Sequence, residues 1–273
     1  MAKPAAIKPI SESKHINILL YGDPGARKTT FAGSGGVGTL ILHPHVEHMD
    51  PIVGCGADHW LIHDWSEMQE ALEWARHEGD QYKWIWLDSI SCWQDVGLDD
   101  IFAVAKARNP RRASAFWDKG DYGVNMGRIA EWVRFMMGCD LFNFGITAHQ
   151  FWHELQEGEP DTHGPNYTEK MMPWIQGKGM PQRIAGYMQM VGYSTVHESK
   201  KRKGEQYVKT RFRGNENFYA KDQFGAFLPS GQVIDLTVPK LEAAVAAAKA
   251  KKKSTTTGRR RQVANNPVRR KRS

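Results

Sequence analysis

A chain of 273 residues with 41% hydrophobic residues is long enough to bury a substantial core, as one large or two small domains. It contains no run of roughly 18 apolar residues, and its opening "MAKPAAIKPISESKH" lacks an apolar h-region, so the expectation is a cytoplasmic protein with no membrane partner. The net charge of +7 divides unevenly: from residue 241 onward eleven Lys and Arg stand against Glu242 alone, leaving a mildly acidic body and a strongly basic tail.

In chain order, "HINILLYG" is an apolar run ending in glycine and predicts a buried strand feeding a tight loop, after which "KTTFAG" opens a helix. "TLILHP" predicts a second strand. The loop "HVEHMDPIVGCGADHW" follows, then an amphipathic helix "SEMQEALEWARHE" in which Met68, Leu72 and Trp74 or Ala75 share a face and Ser66 is the expected cap. "YKWIWLDS" is continuous and β-rich, a third strand. Helices are expected near 91–106 and 124–138, separated by the irregular, basic "KARNPRRASAFWDKGDYG". "DLFNFGITAH" predicts a fourth strand running into a long polar loop, and "YMQMVGYSTVHES" and "EQYVKTRFRG" form a hairpin around the turn "KKRKGE".

Strands alternating with helices imply an α/β fold with a mainly parallel central sheet flanked by helices, and ligands in such sheets sit at the carboxyl ends of the strands. The expected division is an N-terminal extension over 1–14, a core over 15–240 and a basic tail over 241–273. The tail is expected to be disordered after a short helix around "PKLEAAVAAAKAKKK", since it has little apolar surface to bury. It reads either as a solubilising segment or as an arm for a polyanion. Cys55, Cys92 and Cys139 are odd in number and widely spaced, with no C-x-x-C pair, against a disulfide framework or a four-cysteine zinc site.

The stretch from Gly22 to Thr30 nearly matches the phosphate-loop pattern G-x-x-x-x-G-K-[ST]. In such a loop, backbone N–H groups and a helix start converge on an anion while a lysine adds a mobile positive charge. The candidates are Gly22, Asp23, Pro24, Gly25, Ala26, Arg27, Lys28, Thr29 and Thr30. Arg27 stands where the pattern has its second glycine: it either strains a position that wants positive φ or brings a guanidinium near the phosphates. Asp88 ends the strand "WIWLDS", where a carboxylate can hold the water shell of a magnesium ion bound directly by the Thr29 hydroxyl. Two such motifs in this order predict a nucleoside triphosphatase, with Lys28 and Asp88 reaching one spot from adjacent strands.

"VEHMDPI", just past the second strand, resembles the RecA recombinase family, in which a Glu-His segment ending Asp-Pro-Ile carries the glutamate that polarises the attacking water. The resemblance makes Glu47 the candidate base. "LDSISCWQ" is similar to the Asp-Ser that closes the RecA Walker B strand, and "GITAHQ" to the strand whose terminal polar residue senses the γ-phosphate, which implies that His149 or Gln150 couples the nucleotide to the next loop. With "YAKDQFGAF", the pattern over residues 15 to 235 looks closest to phage-encoded RecA-like, Sak-type single-strand annealing ATPases; Arg27, the short length and the lack of an obvious extra domain depart from full RecA. The resemblance implies a RecA-like core, ATP and Mg2+ as cofactors, and DNA-stimulated hydrolysis. It also implies self-association as a filament or ring in which Lys221, or Arg211 and Arg213, reaches a neighbour's phosphates. A single-strand-binding protein is a further candidate partner.

Two loops are placed to meet single-stranded DNA. The first offers Lys106, Arg108, Arg111, Arg112 and Lys119 for phosphates and Trp117 for stacking on a base. The second, "FWHELQEGEPDTHGPNYTEK", carries Trp152, His153 and Tyr167 but is net acidic, and aromatics there serve equally to cap a core. A competing constellation is "HPHVEH", whose His43 and His45 have strand spacing for a shared metal, with His48, Cys55, His59 and His63 following. A metal hydrolase of the barrel type leaves the phosphate loop unexplained. The leading expectation is therefore an ATP-dependent, single-stranded-DNA-binding annealing protein of homologous recombination. The alternatives are a hexameric helicase or motor and a nucleotide-gated DNA-binding scaffold in which Arg27 compromises hydrolysis.

Overall fold

The computed structural model describes residues 13–44, 49–110, 117–154, 169–200 and 202–264. Its centre is a sheet in the order β10-β8-β7-β1-β5-β4-β2-β3. The parallel part comprises β1 (Asn17–Gly22), β2 (Thr39–His43), β3 (Asp58–Leu61), β4 (Trp84–Leu87), β5 (Asn143–Glu154) and β7 (Met190–Glu198). β8 (Gln206–Arg211) and β10 (Gln232–Ile234) extend it antiparallel, β9 (Lys221–Asp222) pairs the start of β7, and β6 (Glu169–Pro173) folds back on the outer half of β5. The expected parallel α/β sheet is present. One expectation about it changes: β5 lies between β1 and β4, so Lys28 and Asp88 do not come from adjacent strands.

The unbroken apolar runs of β1, β2 and β4 mark strands covered on both faces. Alternate residues divide between the two layers. Leu19, Tyr21, Leu42, Leu87 and Ile146 meet helices α2 (Trp65–Glu78), α3 (Ile90–Arg108), α4 (Lys119–Met137) and α5 (Met180–Tyr187). Ile18, Leu20, Ile41, Trp84 and Trp86 meet α1 (Lys28–Gly33) and α6 (Val238–Ala264). Trp86 sets the spacing of the second layer: it stacks on Trp84 at 5.2 Å and meets Phe31 edge-on at 5.3 Å. It also lies over Gly145 of β5, where any Cβ would overlap its ring.

Helix ends follow local chemistry. α2 is capped by Asp64, whose carboxylate accepts from the Glu67 N–H at 2.9 Å, so the cap lies two residues before the expected Ser66. α4 begins at Lys119 rather than near 124, because Asp118 and Asp121 form a reciprocal capping box there. The division expected at residue 240 falls inside a packed helix: Leu241 and Val245 are buried in the core, and Glu242 binds the Trp84 indole at 2.7 Å and Lys83 at 2.6 Å. α6 continues to Ala264, past the end expected near 253. Among the described residues no helix is long and apolar enough to cross a membrane.

Candidate nucleotide site

The site grows from the end of β1. Gly22 passes so close to Ser194 on β7 that a Cβ would overlap the Ser194 carbonyl. The next four residues form a turn closed by the Ala26 N–H to the Asp23 carbonyl at 3.1 Å. Pro24 and Gly25 (φ 78°) fill the positions where such a turn favours proline and requires positive φ. Arg27 then adopts the left-handed conformation (φ 53°, ψ 37°), a geometry that costs a non-glycine residue about 1–2 kcal/mol. The first reading of Arg27, a strained glycine substitute, is the one the backbone displays. Arg27 also lines the cavity beside Lys28 and Thr29, while its guanidinium pairs with Asp235 Oδ1 at 3.5 Å and donates to the Gln206 carbonyl at 3.2 Å.

Lys28 is buried, and its ammonium donates to the carbonyls of Gly22 at 3.1 Å and Asp23 at 2.9 Å. Burial lowers its pKa, while Asp88 and Asp23 pull the other way. Lys28, Thr29, Thr30, Asp88, Cys92 and His149 line one cavity of about 470 Å3 together with Pro51 of the 3-10 turn Asp50–Ile52. Thus the two motifs, though separated by β5 in the sheet, line one cavity. Both reach the cavity over the carboxyl edge of the sheet.

Asp88 is oriented by Thr147, whose hydroxyl donates to Oδ1 from the neighbouring strand. Its other oxygen, Oδ2, is buried with no hydrogen-bond partner among the described residues. An orphaned carboxylate oxygen and a threonine hydroxyl on one cavity wall are hard donors that fit Mg2+. His149 lines the same cavity. Its N–H donates to Ser91 Oγ at 3.0 Å and its carbonyl accepts from the Trp174 N–H at 2.7 Å, tying the middle of β5 to α3 and to the chain after β6. The Gln150 amide nitrogen donates to Asp23 Oδ1, clamping β5 to the loop. Burial pushes the Cys92 thiol pKa up.

The remaining candidates lie elsewhere. Glu47, His45 and His48 fall outside the described residues, as do Arg111, Arg112 and Tyr167. Lys221 sits on β9, away from the cavity of its own chain, and donates to the Gly186 carbonyl at 2.8 Å. Arg211 and Arg213 line a separate cleft of about 260 Å3. Arg108 ends α3 and Lys119 begins α4, both exposed, and Trp117 meets Tyr122 edge-on at 6.2 Å. Lys106 lies 6.0 Å over Phe102. Trp152 is half exposed, whereas His153 is buried opposite Lys170. His43 pairs with His59 at 3.0 Å, and no group of three metal-ligating side chains occurs among the described residues. Thr147, Ser91, Cys92 and Asp235 escaped the sequence reading as site residues. Thr147 had a signal, since it shares a strand face with His149 two residues on.

Loop, strand order and acidic strand end together define a RecA-like P-loop nucleoside-triphosphatase fold. A model of the family described as AAA domain matches residues 14–224, and the chain belongs to that family of P-loop ATPases. No curated protein matches it. Among solved structures it is similar to the flagellar accessory protein FlaH from Methanocaldococcus jannaschii, at 9% identity and a TM-score of 0.38, over 81% of this chain and 92% of that one.

Proposed function

We propose that this chain is a magnesium-dependent ATPase that binds single-stranded DNA as an oligomer and promotes annealing in recombination. The observation that carries the enzymatic part is the convergence of Lys28, Thr29 and Asp88 on one cavity, with Asp88 Oδ2 still to be satisfied. Bound Mg2+ supplies neutralisation of phosphate charge. Lys28 would exchange two loop carbonyls for the phosphates, Thr29 and Asp88 would hold the metal, and Thr147 fixes the Asp88 carboxylate. Glu47 is assigned the base that activates water on the resemblance of "VEHMDPI" to the RecA family. His149 and Gln150 are assigned the sensor: one lines the cavity while the other grips the loop, so a ligand that moves Asp23 moves β5.

The DNA-binding part is supported by the exposed Arg108 and Lys119 flanking residues 109–118, by the excess of Lys and Arg after residue 241, and by the resemblance to annealing ATPases. A second reading, a DNA-binding scaffold gated by nucleotide with little turnover, is favoured by Arg27 in a left-handed glycine position and by Lys28 folded onto its own loop. ATP hydrolysis measured with and without single-stranded DNA separates the two. Turnover that rises with DNA supports the ATPase; ATP binding without turnover selects the scaffold; strand displacement driven by ATP identifies a motor instead.

A further inference from the structure

The phosphate cavity is lined on one hand by Lys28, Thr29, Asp88 and His149 and on the other by Arg27 and Thr30. Arg27 and Thr30 also line a neighbouring cleft with Ser194 of β7 and Val208 and Thr210 of β8, which gives the nucleoside of a triphosphate held by Lys28, Thr29 and Asp88 a path across Thr30. That second cleft, of about 120 Å3, is lined by Asp235 and Thr237 as well as by the shared Arg27 and Thr30.

The lip between the two cavities has an unusual construction. Arg27 and Asp235 are the only non-glycine residues with positive φ among the described residues, at 53° and 44°, and they face one another as an ion pair at 3.5 Å. Backbone strain of this kind persists where the surroundings hold it and gathers at ligand clamps. Asp235 is held by β8: its Oδ1 accepts from the Val208 N–H at 3.0 Å and its own N–H donates to the Val208 carbonyl at 2.8 Å. Both Asp235 side-chain contacts therefore fall on Oδ1. Arg27 is pinned by Asp235 and the Gln206 carbonyl, yet its side chain remains 51% exposed. The result is a flat guanidinium held in place beside that path.

We propose that the Arg27–Asp235 pair is the nucleoside-binding element of this site. The base of a purine nucleoside triphosphate lies on the open face of the Arg27 guanidinium, and Asp235 Oδ2 accepts from the amino group of the base. This rests on the phosphate-loop reading above and adds base recognition to it. Arginine is suited to the role because a planar guanidinium stacks on a ring while a lysine ammonium offers only a point charge.

The test compares two ligands, MgATP and magnesium tripolyphosphate, titrated calorimetrically into the full chain. Arg27→Lys keeps the charge and loses the plane. Asp235→Asn tolerates the left-handed backbone and retains an acceptor for Val208 N–H, but releases Arg27. The wild type is expected to prefer ATP over tripolyphosphate by about tenfold or more, and each variant to cut that preference about fivefold with tripolyphosphate affinity nearly unchanged. A wild type without preference, or a folded variant that keeps the full preference, overturns the inference. Failure of both ligands to bind the wild type is a different result: it overturns the phosphate-loop reading itself, and base recognition with it.

Discussion

Lys28 stands under two opposed demands, burial that disfavours its charge and two carboxylates that favour it, and burial is the larger. A bound triphosphate adds negative charge and raises the pKa again. In the window between the free-loop and bound values, binding takes up a proton. ATP affinity is therefore level below the free-loop pKa, falls as pH rises through it by up to about tenfold per unit, and levels above the bound value. Calorimetry in buffers of different ionisation enthalpy reads that uptake directly, and its absence at alkaline pH contradicts the placement of the ammonium. Thr147 offers a second test at this scale. Thr147→Val removes the donor that orients Asp88, and the Mg2+ concentration for half-maximal ATP binding should rise about tenfold, as for other outer partners of metal ligands. An unchanged requirement separates Asp88 from the metal.

At the scale of elements, β5 is the member that joins the two motifs. It enters between β1 and β4, yields its Cβ at Gly145 to the Trp86 ring, orients Asp88 through Thr147 and grips the loop through Gln150. Gly145→Ala should lower stability by about 1–3 kcal/mol through overpacking, read as a shift in the urea midpoint; no shift means that the sheet yields more readily than its packing suggests. Much of this was legible beforehand. The runs "NILLYG" and "WIWLDS" announce strands because nothing but burial on both faces explains so many consecutive apolar residues. The order of strands across the sheet is not written in any one segment, which is why the insertion of β5 was missed. The short strands β3 and β10 were missed for a related reason. DHWL and QVI carry two apolar residues each and become strands only through the neighbours that pair with them. Likewise Ser66 satisfies the cap preference, but Asp64 satisfies it too, and geometry decides.

For the whole molecule, the start of the basic tail is docked on the acidic body. α6 enters the core through Leu241 and Val245, and Lys249 donates to the Ser13 carbonyl at 2.8 Å and lies 5.0 Å over Phe224. Lys252 donates to the Gln223 carbonyl at 3.2 Å. The sequence showed the charge asymmetry but not this docking, because the alanine-rich stretch after residue 242 carries few large side chains to signal a buried face. A truncation that probes DNA binding without disturbing the core therefore removes 259–273, which contain Arg259, Arg260, Arg261, Arg269, Arg270, Lys271 and Arg272. Its single-stranded-DNA affinity should lose salt dependence, with the slope of log K against log salt shallower by up to about 5. An unchanged slope removes the tail from DNA binding.

The central claim is that Lys28, Thr29 and Asp88 hold a triphosphate together with its metal. Titration of ATP into the wild type and Asp88→Asn, each with Mg2+ and with a chelator, tests it most directly. The account predicts that Mg2+ tightens binding to the wild type by at least about tenfold and has little effect in the variant. Equal enhancement by Mg2+ in both proteins would contradict it.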